Sequence, residues 1–337
     1  MKIVNTNFNN KTILITGGAG FIGSSLAMHL QEKFTNSNII IFDCFRSEET
    51  FSNGNLKSFG HYKNLIGFKG NIICGDINKK EDLKLLNEFN FDFIFHQAAI
   101  SDTRVADQSI IMSTNVNSFF QILEIAKRNK SKVVYASSAA TYGSLPSPQT
   151  EGLEDPENPY GFSKLIMDQV AARFAIKNPN ISIIGLRYFN VYGPREFFKE
   201  KTSSMVIQLA MQILNGLSPR LFEGSDKILR DFINIEDVIE ANIKACSPKK
   251  NGVYNVGTGN PRSFKDIVDI LQKELGTNFE IDYFPNPYNG YQMHTQAETS
   301  SASKNLDFKS KISLEDGIKS YISEIKRLHQ FESLWLI

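Results

Sequence analysis

Short, almost wholly apolar runs alternate with helix-length segments along the first half of the chain. Residues 11–16 read KTILIT, residues 38–42 read NIIIF, and further strand candidates lie at 71–74, 91–95, 132–136 and 181–186. Between them, helix-length stretches follow the first run (24–33) and recur at 80–88, 105–129 and 160–177. Strands that are apolar throughout are buried on both faces, so the pattern predicts a mostly parallel sheet with helices on each side, an α/β fold of Rossmann type. After about residue 190 polar loops interrupt the pattern at 193–203, 216–231 and 284–300. Residues 1–187 are therefore read as a mainly dinucleotide-binding domain and 188–337 as a mainly substrate-binding one. The strand-like run 252–256 is a candidate to return to the main sheet. No internal repeat or low-complexity tract is present.

Composition narrows the class without naming a chemistry. A chain of 337 residues buries a substantial core. Its formal charge of +1 gives no electrostatic footprint for nucleic acid. Cys44, Cys74 and Cys246 are scattered, with neither metal-ligand nor disulfide spacing, which fits a reducing compartment. The polar first ten residues lack the apolar stretch of a signal peptide, and no apolar run is long enough to span a membrane. A cytoplasmic location is expected.

The chemistry begins at the first turn. Gly17, Gly20 and Gly23 follow a strand and open a helix, the spacing that lets a pyrophosphate approach the backbone and face a helix N-terminus. Asp43, ending the second run, is placed to accept from an adenosine ribose hydroxyl, which favours NAD. Arg46 and Lys57 bring positive charge that suits a 2′-phosphate, or are solvated loop side chains. Asp76 either caps a helix or contacts adenine. Gln97, Ala98 and Ala99 close the fourth strand with small residues that allow close approach, and His96 is either packed or functional.

Downstream, Tyr160 and Lys164 stand four residues apart and share a helix face. An ammonium there favours the phenolate and lowers a tyrosine pKa that is otherwise near 10. The hydroxyl-rich segment 137–143 puts Ser138 in reach of a substrate oxygen, with Ser137 and Thr141 as caps or secondary contacts.

These features, GGAGFIG at 17–23, SSAATYG at 137–143 and the Tyr160/Lys164 pair, resemble the extended short-chain dehydrogenase/reductase family. YFNVYGPRE at 188–196, LFEGS at 221–225 with RDF at 230–232, and TQA at 295–297 are most similar to its ADP-glycero-manno-heptose 6-epimerase branch. The resemblance implies NADP, with NAD possible, held by Gly17, Gly20, Phe21, Ile22, Gly23, Asp43, Arg46, Asp76, Ile77, Gln97, Ala98, Ala99, Asn115, Tyr160 and Lys164. It implies an ADP-heptose substrate inverted at C6 for lipopolysaccharide inner-core synthesis, with Tyr160, Lys164 and Ser138 catalytic. Ser138, Asn190, Lys201, Arg230 and Tyr291 would bind the substrate. A homo-oligomer, a pentamer by resemblance, is implied as well. The family places a second acid/base lysine after the GPRE block. Lys199 matches the spacing from Glu196, and Lys201 lies nearer Met205.

Other readings share part of this set. A UDP-hexose 4-epimerase would use the same serine, tyrosine and lysine. A 4,6-dehydratase would carry Asp-Glu where Ala139 and Ala140 stand, and two methyl groups cannot supply that proton transfer. A catalytically silent cofactor-binding protein would keep the fold without needing all three groups.

Overall fold

The computed structural model describes residues 6–286 and 292–331; Tyr291 lies outside them. Its centre is a seven-stranded sheet in which every adjacent pair is parallel. In chain order the strands are Thr12–Thr16, Asn38–Asp43, Asn71–Cys74, Phe93–His96, Lys132–Ser138, Ile183–Tyr188 and Gly252–Val256. Across the sheet they run seventh, sixth, fifth, fourth, first, second, third. The order reverses between the first and fourth strands, opening a crevice at their carboxyl ends where ligands of such sheets bind.

Neighbouring residues on a strand point to opposite faces, and here both faces are apolar. Ile13, Ile15, Ile39 and Ile41 enter one core; Leu14, Ile40 and Phe42 enter the other. Each such side chain contributes about 1.5–3 kcal/mol when fully buried. Helix Phe21–Lys33 covers the first face with Leu26, Ala27 and Leu30, and helix Pro159–Lys177 covers the second with Met167, Val170 and Ala171.

Several boundaries differ from the sequence reading. The first helix starts at Phe21, with Gly20 as its N-cap, so the glycine turn runs straight into helix. The stretch read as one helix over 105–129 is broken: Gln108–Ile111 is α-helical, Met112–Asn117 a π-helical segment, and Ser118–Asn129 α-helical again. The preceding residues fold around Asp102 instead, which accepts from Asn53, Asn55 and Arg104.

Beyond residue 188 the chain serves two cores. Helices Met205–Leu214, Phe264–Leu275 and Leu314–Phe331 pack together through Leu209, Ile213, Ile267, Leu271, Ile318 and Ile325. A capping box between Ser263 and Asp266 starts the middle helix, and Gly276 in the left-handed region ends it. In contrast, helix Ile235–Ala245 joins the first face of the sheet, and strand Gly252–Val256 pairs with Ile183–Tyr188 at its edge. Among the described residues no helix is long and apolar enough to cross a membrane.

Candidate active site

A cleft of about 980 Å³ runs across the carboxyl ends of the strands, from the glycine turn to the core of the C-terminal helices. Gly17, Gly20, Phe21, Ile22, Gly23, Asp43, Asp76, Ile77, Gln97, Ala98 and Ala99 line one arm; Ser138, Tyr160, Lys164, Asn190, Lys199 and Arg230 line the other.

The glycine turn is shaped for close approach. Gly17 has φ +67°, and a Cβ there would sit 2.6 Å from the Ala98 backbone nitrogen. With glycine as its N-cap, helix Phe21–Lys33 has no side chain on its first amides. A dinucleotide's pyrophosphate fits that cradle, because the amides and the helix dipole both favour an anion.

Asp43 does more structural work than its spacing implied. Its two carboxylate oxygens accept from the Ala19 and Phe45 amides at 2.9 and 2.8 Å, which fixes the glycine turn and the loop after the second strand. Burial raises its pKa, and the two amides oppose that shift. Asp76 is not the cap of the next helix, whose N-cap is Lys79; it lines the cleft and accepts from the Asn78 amide at 2.9 Å, while Ile77 beside it is buried against the second face of the sheet.

Two residues of the implied cofactor set stand elsewhere. Asn115 does not line the cleft. Its amide is satisfied by both backbone groups of Ile100 and by Ser163, so it ties the loop after the fourth strand to helix Pro159–Lys177. Arg46 is not among the lining residues either; it forms an ion pair with Glu200. Lys57 lines the cleft and pairs with Glu49 at 2.9 Å. His96 is packed: Thr16 meets its Nδ1 at 2.7 Å, its ring stacks on Phe119, and burial lowers its pKa to about 3, so it stays neutral.

On the other arm, Asn158 caps the helix by accepting from Gly161, placing Tyr160 in the first turn and Lys164 one turn on. The Lys164 ammonium donates to the Ala136 carbonyl at 2.8 Å and lies 5.8 Å from the Tyr160 ring centroid. Burial lowers the Lys164 pKa to about 8, with Asp168 opposing. Tyr160 departs from expectation: burial raises its pKa, and a hydrogen bond with Ser138 counters this only in part. The ammonium is turned to a carbonyl, so it does not offset the desolvation of the phenolate. Ser138 also accepts from the Ala140 amide at 3.1 Å, which fixes its rotamer at the strand end.

Lys199 also lines the cleft, its amine 5.8 Å from the Phe21 ring centroid, whereas Lys201 is exposed and outside the lining. Burial lowers the Lys199 pKa, with Glu196 and Asp102 opposing. Arg230 is buried, donates to the Leu229 carbonyl at 2.9 Å and to that of Gln292, and leaves its guanidinium over Phe264.

Sequence reasoning passed over Asp168. It accepts from Tyr135, Ser137 and Arg187 beneath the site, and Arg187 also pairs with Glu154 at 2.6 Å. Its position four residues after Lys164, on the same helix face, was the available signal.

The NAD dependent epimerase/dehydratase family matches residues 13–257. An ADP-L-glycero-D-manno-heptose-6-epimerase of Brachyspira hyodysenteriae is 36% identical over 324 residues, 94% of this chain and 98% of that protein. The crystal structure of the Helicobacter pylori ADP-L-glycero-D-manno-heptose-6-epimerase superposes with a TM-score of 0.86 at 47% identity, over 97% of this chain and 99% of that one. A Bacillus cereus UDP-glucuronic acid 4-epimerase, in complex with UDP-glucuronic acid and NAD, is similar at 29% identity with a TM-score of 0.79, over 94% of this chain and 99% of that one. The chain belongs to the NAD dependent epimerase/dehydratase family, among the relatives of the ADP-L-glycero-D-manno-heptose-6-epimerases.

Proposed function

We propose that the chain is an NADP-dependent epimerase that interconverts ADP-D-glycero- and ADP-L-glycero-β-D-manno-heptose by transient oxidation at C6. One observation carries the chemistry: Tyr160, Ser138 and Lys199 line a single cleft that continues into the dinucleotide cradle. The near-full-length likeness to two heptose-nucleotide epimerases supports the substrate. A UDP-hexose 4-epimerase remains the competing reading, since it would use the same Ser138, Tyr160 and Lys164.

A bound nicotinamide supplies hydride acceptance and return. The protein's part is proton transfer and orientation. Tyr160 exchanges the proton of the reacting hydroxyl, and Ser138 holds that oxygen by hydrogen bond. Inversion requires the carbon to present its other face, which turns the oxygen away from Tyr160. Lys199 serves that second orientation, as desolvation brings a lysine towards the range where it moves protons near neutral pH. Lys164 would hold the ribose of a bound dinucleotide, while its bond to the Ala136 carbonyl fixes the helix that carries Tyr160. Asn190 and Arg230 contact the substrate; Lys201, on the outside, is assigned no contact. Tyr291 keeps its proposed substrate role from resemblance alone.

NADP is favoured over NAD by resemblance, since the Lys57 charge at the cleft is paired with Glu49. Mass spectrometry of the dinucleotide released on denaturation decides between them; NAD alone would overturn the NADP assignment. We also propose a cytoplasmic homo-oligomer of five subunits, tested by light scattering. The function is tested by incubating the protein with a panel of ADP- and UDP-sugars and following products by NMR. Inversion of the heptose nucleotide at C6 is the expected result, and turnover confined to UDP-hexoses would favour the 4-epimerase reading.

A further inference from the structure

In the turn that carries Lys199, Phe197–Thr202, Phe197 packs against the core of the C-terminal helices and no residue is fully buried. The rest of the turn is held by side-chain contacts. At its base Glu196 is fully buried and accepts from the Gly193 amide at 3.0 Å, the Ser204 amide at 2.7 Å and the Ser204 hydroxyl at 2.9 Å. At its tip Glu200 has φ +51° and ψ −124°, a conformation that a non-glycine residue keeps only when its surroundings hold it.

Those surroundings come from residues 46–64, the segment that follows the second strand. Arg46 pairs with Glu200. The His61 ring stacks on Phe198 with centroids 3.8 Å apart and planes within 2°. Arg195 donates to the Asn64 carbonyl at 2.6 Å. This segment is in turn bound to the glycine turn, because the Ala19 carbonyl accepts from the His61 amide at 3.0 Å and from the Asn64 side chain at 3.1 Å. Three contacts of different kinds thus join the dinucleotide arm to the turn bearing the amine.

We propose that residues 46–64 and 195–200 form a clasp across the cleft, in which Glu200 and Phe198 are positioning residues that hold the Lys199 amine at the reacting end. The proposal rests on the reading of Lys199 as the second acid/base. Both neighbours of Lys199 in sequence are gripped, Phe198 by a ring and Glu200 by a guanidinium, so the backbone between them has little freedom. Without that grip the lysine would return to solvent and to the behaviour of Lys201, two residues on and exposed. Burial lowers the Lys199 pKa only while the amine stays in the cleft.

The test uses the full chain with its bound dinucleotide and leaves Arg46 intact, because Arg46 is itself a cofactor candidate. Glu200→Gln removes the charge and Phe198→Leu the stack; His61→Phe keeps a ring at the stacking position, whereas His61→Ala does not. Acylation by acetic anhydride at graded pH, resolved by mass spectrometry, reports the titration midpoint of Lys199. In the parent protein that midpoint should lie below the ordinary lysine value of about 10.4. In Glu200→Gln and Phe198→Leu it should move up towards that value, and kcat should fall by about 10- to 100-fold, the scale of a small misplacement of a reacting group. Dinucleotide affinity should hold, and His61→Phe should keep the parent midpoint that His61→Ala loses. Unchanged midpoints and kcat in both variants, with near-UV circular dichroism intact, would overturn the clasp. Loss of dinucleotide in both would also overturn it, by making these residues part of cofactor retention. Full turnover in Lys199→Met would remove the acid/base reading alone, since the midpoints report the amine's placement independently of activity.

Discussion

The Lys164 ammonium donates to the Ala136 carbonyl at 2.8 Å, which pins the helix bearing Tyr160 to the end of the fifth strand. The lysine therefore braces the site from below, while burial raises the Tyr160 pKa against its hydrogen bond with Ser138. Tyr160→Phe should retain fold and dinucleotide while turnover falls by about 10²–10⁴-fold. Steady-state assay with dinucleotide content measured in parallel checks this; near-parent turnover would remove Tyr160 from the acid/base role.

Burial of Lys164 sets a pH dependence of stability. Its folded pKa is lowered to about 8, by desolvation first with the Asp168 charge opposing. In the unfolded chain the same group titrates near about 10.4. Between those values the unfolded state binds more protons, so this residue's contribution to stability rises with pH across that window. Urea unfolding of the dinucleotide-free protein and of Lys164→Met, at about pH 7.5 and about pH 9.5, should show the difference between them shifting in favour of the parent as pH rises. A flat or opposite difference would mean that the amine titrates as if solvated.

Beneath the site, Arg187 and Asp168 form a buried pair at 2.8 Å, with side chains 3% and 6% exposed. Removing one member leaves the other charge in low dielectric. Asp168→Asn should destabilise by about 3 kcal/mol, at the low end for breaking such a pair because Glu154 still holds Arg187. The loss of Asp168 also withdraws the charge that favours the Lys164 ammonium, so the Lys164 midpoint should fall further. Chemical denaturation reports the first effect, and pH-resolved amine labelling the second.

At the glycine turn, Gly17→Ala introduces a Cβ at φ +67° against the Ala98 backbone. Strain of this kind costs about 1–3 kcal/mol. The variant should lose both stability and dinucleotide affinity, whereas alanine at Gly54, also at positive φ but with open space around it, should lose stability alone. Dinucleotide titration of the two variants separates local strain from damage to the cradle.

The parts of this site that local spacing dictates were legible in the sequence. Gly17 is needed because only glycine tolerates both its backbone angle and its neighbour, and Tyr160 and Lys164 meet because a helix returns to the same face every fourth residue. The parallel sheet followed from strands apolar on both faces. What escaped were contacts that depend on distant segments. Arg46 and Glu200 are 154 positions apart, so nothing local indicates that a candidate phosphate ligand is paired across the cleft. Asn115 has a plausible polar side chain for a cofactor, yet its amide is filled by Ile100 and Ser163. Choosing Lys199 over Lys201 for the cleft likewise needed the shape of a turn that no spacing rule supplies.

Deuterium placed at C6 of ADP-D-glycero-β-D-manno-heptose follows the bond that inversion must break and remake. With the protein in excess over substrate in ordinary water, a single turnover should give the L-glycero product with deuterium retained at C6 and no added dinucleotide required. Product carrying solvent hydrogen at C6 would contradict oxidation and return of the same hydride, and with it the roles given to Tyr160 and Lys199.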